Sequence, residues 1–338
     1  MKKKNIMLST IAVGIIAAIG FGPLMNQIKS HQSLETEEEE MVQAIGPEVN
    51  ADSIFSFIQT QCDFGPRTMN SPAHDKCGEW IAQKMKDYGC EVTNQYADLK
   101  AYDGTILKSR NIIAQHNPQA KKRILLCAHW DTRPWADNDA DSTNWKKPID
   151  GANDGASGVA VMIEIARLLA QDTTINIGVD FVFFDAEDWG TPQWSDSNDG
   201  ENTWALGSQH FAKNLPANFQ PQFGILLDIV GGQGAKFYRE GISMQFAPQI
   251  VKKVWRAARK AGYGSYFPDQ DGGMVTDDHL PLNQIAGIPT IDIIAYYPDC
   301  QQSSFGHTWH TLNDNINFID KNTLKAVGQT VMQVIAEE

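Results

Sequence analysis

The sequence predicts an α/β protein: one domain on a mixed, mostly parallel central sheet with helices on both faces. Three observations lead there. From about residue 110 onward, strand-like segments alternate with helical ones, the arrangement that builds a parallel sheet flanked by crossover helices. Residues 178–184 form an apolar, β-branched and aromatic run interrupted only by Asp180, which reads as a strand in a sheet interior. That run ends abruptly in Asp185, Glu187 and Asp188, and an open α/β sheet binds its ligands at the carboxyl ends of its strands. Adjacent carboxylates repel one another there, and their desolvation is costly unless a cation or a shared proton compensates.

The elements follow in order. Residues 51–61 read as a first helix, then a Gly65-Pro66-Arg67 loop. Residues 71–88 have helical spacing, with Ile81, Met85 and Tyr88 on one side and Gly89 as the stop. Strands are expected at 91–97, 110–115 and 123–128. A Gly-rich loop over 151–158 opens a helix that runs to about residue 170. After the central strand come a polar loop at 189–203, a helix near 204–214, a strand at 222–229 and a helix at 247–261. A strand at 288–293 and a helix at 321–338 close the chain. The loop at 133–148, rich in Asp and Trp, reads as an insertion near the mouth of a site. Its Asp137, Asp139 and Asp141 form either a solvated acidic face or a weak cation site.

At 338 residues and 42% hydrophobic content, the chain can bury a sizeable core, and no internal repeat or second domain boundary is visible. The catalytic domain is expected over 46–338. The net charge of −13 owes five negatives to Glu35, Glu37, Glu38, Glu39 and Glu40, within a flexible tether expected at 26–45. The acidity argues against nucleic-acid binding. Lys2, Lys3 and Lys4 precede an apolar run over 6–25, so residues 1–25 are expected to be a signal peptide or a signal anchor. The run approaches the ~20 residues of a spanning helix, and small residues near Gly20 suit cleavage, so both fates stay open. Export to a bacterial-type periplasm is expected, with the inner membrane engaged only through residues 6–25. The five cysteines contain no CxxC pair; one disulfide among Cys62, Cys77 and Cys90 is an option, and Cys127 reads as a buried thiol.

Further chemistry-bearing residues fall where strands should end. His129-Trp130-Asp131 follows the strand at 123–128, Asn153-Asp154-Gly155 opens a helix, Asp228 ends another strand, and Trp309-His310 follows the last strand and its loop. With Glu187 and Asp188 they make two histidines and several carboxylates, the N/O ligand set expected for zinc. Taken singly, Asp154 could be a helix N-cap and His310 a satisfied surface histidine. The sequence carries no Walker A, Gly-x-Ser-x-Gly or dinucleotide fingerprint.

In this order, His129-x-Asp131, Asn153-Asp154-Gly155, Glu187-Asp188, Asp228 and His310 resemble the zinc-dependent exopeptidases of the aminopeptidase type. A narrower resemblance, to glutaminyl-peptide cyclotransferases, rests on Asp277-Asp278-His279-Leu280-Pro281, on Trp309-His310-Thr311-Leu312-Asn313-Asp314-Asn315, and on Trp194-Ser195. The resemblance implies a zinc-exopeptidase-like fold and one zinc per chain, bound by Asp154, Asp188 and His310. It implies Glu187 as general acid/base, Asp228 and Asp277 completing the catalytic set, and Trp194, Trp309 and Phe305 around the substrate pocket. His129, Asp131 and Asp292 would support the site or hold a second metal. Two departures stand out: Asp188 where animal cyclases carry Glu, and Asp292 where they carry His, which would set two carboxylates, Asp277 and Asp292, face to face to share a proton. The implied partners are peptides or exported proteins with N-terminal glutamine, met by a monomer. A two-zinc aminopeptidase on the same fold, with His129 and Asp228 taking the second metal and Asp154 bridging, has every ligand it needs. A non-catalytic module on a degenerate peptidase fold has no use for Glu187.

Overall fold

The computed structural model describes residues 42–195 and 203–338, so the expected signal or anchor and most of the tether lie outside them. Six strands, β1 (Glu91–Lys100), β2 (Ile106–His116), β3 (Arg123–His129), β4 (Gly178–Phe184), β5 (Gly224–Asp228) and β6 (Thr290–Ile294), make one sheet in the order β1-β2-β4-β3-β5-β6. Pairs β3/β4, β3/β5 and β5/β6 are parallel, while β1/β2 and β2/β4 are antiparallel. The mixed, mostly parallel sheet is therefore as expected. Its first two strands are longer than expected and join through a tight turn, with Ala101 N donating to Thr105 O at 2.9 Å. The reason is that β1 is a half-exposed edge strand of alternating polarity, without the apolar run that marks an interior strand.

Alternation along β3 and β4 accounts for helices on both sides. Ile124, Leu126, Ala128, Val179, Phe181 and Phe183 face one core. That core is completed by helices α1 (Ala51–Asp63), α2 (Pro72–Asp87), α3 (Ala156–Gln171), α6 (Pro248–Lys260) and α7 (Lys321–Glu337). Leu125, Cys127, Val182 and Phe184 face the other core, against Phe211 of α4 (Leu206–Lys213) and Leu282. A short α5 (Gly241–Phe246), not foreseen, precedes α6. Side chains of Asn50, Ser71 and Asp320 cap α1, α2 and α7 by accepting from first-turn N–H groups. Asp180, the one polar interruption of β4, accepts from Arg123 Nε at 3.0 Å and Nη2 at 2.7 Å, and from Gln115 at 2.7 Å. Its charge is thus satisfied at the sheet end away from the site.

Residues 41–338 form one compact unit. The five cysteines are free thiols, so the disulfide considered among Cys62, Cys77 and Cys90 is absent; the buried thiol read at Cys127 is found. Among the described residues, no helix is long and apolar enough to cross a membrane.

Candidate active site

The strand ends lie together because β4, β3 and β5 are parallel neighbours, and the backbone takes unusual conformations just beyond them. Ala186, Ile229 and His310 have φ of 54°, 51° and 54°. Each is a candidate site residue or its immediate neighbour, and a β-branched residue such as Ile229 in the left-handed region is held there only by its surroundings. Gly155, at φ 87°, begins α3; a Cβ there would stand 3.0 Å from both Asp131 O and the His129 ring. At Gly158 a Cβ would come within 2.1 Å of Leu227 O. These two glycines let α3 start against the ends of β3 and β5, which brings Asp154 to the site.

Asp154, Asp188 and His310 form a buried group of potential metal donors. His310 Nε2 lies 3.2 Å from Asp188 Oδ1 and 3.5 Å from Asp154 Oδ2. Bonds of ~2.0–2.1 Å in a tetrahedral site put ligand atoms roughly 3.3–3.4 Å apart, so this spacing suits zinc. Both Asp188 oxygens and Asp154 Oδ2 are buried with no hydrogen-bond partner among the described residues. Burial, then the neighbouring Asp154, push the Asp188 pKa well above the usual carboxylate range. Burial and the Arg133 charge push His310 down to about 3, leaving its ring neutral and able to ligate. Buried carboxylate oxygens that accept no hydrogen bond, beside a neutral imidazole, fit a resident cation.

His129 is placed differently. Its Nε2 is 2.9 Å from Asp154 Oδ1 and 3.2 Å from Asp228 Oδ1, the spacing of direct hydrogen bonds. Burial opposes its charge, yet Asp131, Asp154 and Asp228 together raise its pKa well above the ordinary value. Asp131 accepts from Glu187 N and Asp188 N, both at 3.1 Å, and so fixes the turn that carries the two acids. Asp314, which the sequence shows only as one member of the 309–315 motif, accepts from Asn153 N at 2.7 Å and Asp154 N at 3.1 Å and holds the other ligand loop.

Glu187, Asp228 and Asp277 line the same cavity as Asp154 and His310, with a volume of about 390 Å³. Burial, then the charges of Asp188, Asp277 and Asp278, push Glu187 well above the normal range despite His129. Asp228 is pushed up to about 7 by burial, with His129 opposing. Asp292 backs onto this group. Its carboxylate oxygens have no hydrogen-bond partner among the described residues, and burial followed by the Asp277 charge raises its pKa well above normal.

The cavity wall is aromatic and apolar. Trp309 stacks on His310 with ring centroids 3.6 Å apart and meets Phe305 at 5.0 Å. Trp194 is not in the wall: it is 37% exposed and packs with Trp135 and Trp145. The second indole lining the cavity is Trp204, parallel to His310 at 6.0 Å. Trp194 belongs to the polar stretch at 189–203 and Trp204 immediately follows it. Of the three acids expected on the 133–148 loop, Asp141 is exposed and Asp139 half-exposed, as a solvated acidic face requires, while Asp137 departs from that reading. Asp137 is buried against Arg133, and Asp139 and Asp141 accept backbone N–H groups that shape their loop.

Residues 111–335 match peptidase family M28, and the chain belongs to that family. Within it, the likeness runs to glutaminyl cyclases. The chain is 54% identical to the Bacteroides thetaiotaomicron glutaminyl cyclase solved with N-acetylhistamine, covering 87% of this chain and 100% of that one at a TM-score of 0.85. It is also 54% identical to a structure described as a leucine aminopeptidase precursor from Bacteroides thetaiotaomicron, covering 87% and 99% at a TM-score of 0.84. The glutaminyl-peptide cyclotransferase of Bos taurus is 26% identical over 264 residues, which span 68% of this chain and 65% of that protein.

Proposed function

We propose that this protein is a zinc-dependent glutaminyl-peptide cyclotransferase that converts N-terminal glutamine to pyroglutamate and releases ammonia. The carrying observation is that Glu187, a buried proton-transfer group, shares one aromatic-walled cavity with Asp154 and His310, which form a buried donor group with Asp188. Those three would hold zinc, which when bound supplies a Lewis acid for the γ-carbonyl of the substrate. The α-amine of the glutamine attacks its own side-chain amide carbon. Glu187 takes a proton from that amine and returns it to the departing nitrogen, so the C–N bond to the ring forms as the bond to ammonia breaks. Asp228 and Asp277, on the same cavity, receive the amine and the leaving nitrogen. Trp204, Trp309 and Phe305 enclose the side chain and exclude water, the competing nucleophile.

A two-metal aminopeptidase is the second reading, favoured by the convergence of His129, Asp154 and Asp228. The 2.9 Å contact between His129 and Asp154 supports a hydrogen-bonding rather than a ligating His129, and hence one zinc per chain. Ammonia release from a Gln-initiated dipeptide tests the choice. A cyclase leaves the peptide bond intact, whereas an aminopeptidase liberates free glutamine.

The substrates fitting this reading are peptides or exported proteins that begin with glutamine, met by a monomer in a periplasm-like compartment. Fractionation of cells making the full chain tests the location: a wholly cytosolic protein would end that part of the proposal.

A further inference from the structure

We infer that Arg133 and Asp137 form a positioning pair that aims two donors of the metal group, Asp188 and His310, and seats the Trp204 wall. The inference rests on the metal-dependent reading above and concerns residues of the loop expected near the mouth of the site. Both side chains are only 1% exposed. Arg133 Nε and Nη2 donate to the two oxygens of Asp137 at 2.7 and 2.6 Å, a bidentate fork. The remaining nitrogen, Nη1, donates to the main-chain oxygen of Asp188 at 3.1 Å and lies 3.6 Å from its Oδ1. The guanidinium also rests against the ring of Trp204, with Cζ 4.6 Å from its centroid.

Asp137 faces the other donor. Its Oδ1 stands 3.6 Å from His310 Nδ1, while His310 Nε2 points to Asp154 and Asp188. A carboxylate beside Nδ1 favours the tautomer that carries its proton there, which leaves Nε2 with a free lone pair. The next residue, Asn138, donates its N–H to His310 O at 3.0 Å and its side-chain amide to Trp309 O at 3.2 Å. One short segment, 133–138, thus grips the main chain of both donors and holds the side-chain environment of each. A fully buried ion pair gives little net stability over an apolar replacement. Placing the donors is the role that its geometry explains.

The test uses Arg133→Lys, which keeps the charge but loses the planar fork, and Asp137→Asn, which keeps the shape but loses the charge. Zinc affinity is read by competition with a chromogenic chelator, alongside thermal unfolding of the metal-stripped proteins and KM and kcat at saturating zinc. Expected are a roughly 10–100-fold loss of zinc affinity in both variants, the usual worth of a group that orients a ligand. The stripped proteins should unfold within a few degrees of the parent. Saturating zinc should restore most of kcat in Asp137→Asn, while KM stays raised in Arg133→Lys because Trp204 has lost its support. Unchanged zinc affinity in both variants overturns the inference, as does a loss that merely follows lower stability of the stripped protein. Should Arg133→Lys fail to fold, Asp137→Asn alone decides, with recovery of affinity in Asp137→Glu expected. Zinc competition does not depend on what the enzyme turns over. Failure of cyclisation with zinc affinity still lost would therefore sink the proposed function and leave the positioning role standing.

Discussion

Replacing Glu187 by Gln separates chemistry from architecture. The turn that carries Glu187 is pinned from both sides: its N–H donates to Asp131 at 3.1 Å, and its carbonyl accepts from Ala205 N at 3.1 Å. Neither bond involves its side chain, so the amide occupies the same place. What disappears is the ability to take a proton from the amine and return it to the leaving nitrogen. A positioned acid/base is worth about 10²–10⁴ in rate, or about 3–5 kcal/mol of transition-state stabilisation. The variant also removes a buried charge set among Asp188, Asp277 and Asp278, so its melting temperature should not fall below that of the parent. Ammonia release from a Gln-initiated dipeptide, followed with a coupled assay, measures the rate, and metal analysis runs beside it. Turnover should drop by about 10²–10⁴ with zinc content unchanged. Loss of zinc with Glu187→Gln would show that this residue, rather than its neighbour, is the ligand, and turnover within a few-fold of the parent would remove it from the mechanism.

Asp188→Asn should lose zinc and activity together, because a charged donor is gone; retention of a full equivalent of metal would contradict the assignment. Trp309→Ala should lower kcat/KM by on the order of tenfold or more with little loss of stability, since its ring stacks on His310 and lines the cavity. Trp194→Ala, outside the cavity, should leave KM within about twofold, and a larger rise would put this indole back in the substrate path. Glu240 gives a pH prediction. Burial opposes its charge, but hydrogen bonds from His279 and Ser243 hold its pKa down to about 2 from 4.5. A depressed folded-state pKa adds stability that is present above about 4.5 and lost as pH falls toward 2, up to about 3 kcal/mol. Denaturation of the parent and of Glu240→Gln across that window should show the difference between them shrinking as pH falls; a constant difference would refute it.

What was legible in the sequence was whatever local chemistry dictates. An apolar run that stops in Asp185, Glu187 and Asp188 announces both a buried strand and a ligand end, and β4 with its turn is found there. The parallel half of the sheet was readable for the same reason. The antiparallel β1–β2 hairpin was read short because a half-exposed edge strand has no continuous apolar signal. The donor group was legible as residues at strand ends, but the roles of its neighbours were not. His129 differs from His310 only through contacts across strands: hydrogen-bond spacing to two carboxylates in one case, unpartnered oxygens in the other. Trp204 could not be told from Trp194, because nothing local in the sequence marks which of two nearby indoles lines the cavity. Arg133 and Asp137 looked like parts of a charged surface loop, since nothing local shows that a four-residue spacing will close into a buried ion pair.

In the proposed reaction the glutamine's own α-amine displaces its side-chain nitrogen. A dipeptide whose N-terminal glutamine carries heavy nitrogen only at the α-amine, incubated with the zinc-loaded protein, tests it most directly by mass analysis of both products. Cyclisation by the α-amine yields unlabelled ammonia and a pyroglutamyl peptide that keeps the label in its ring, with the peptide bond intact. Labelled free glutamine would show an aminopeptidase, and unlabelled ammonia with an uncyclised N-terminal glutamate would show water as the nucleophile; either result contradicts the account.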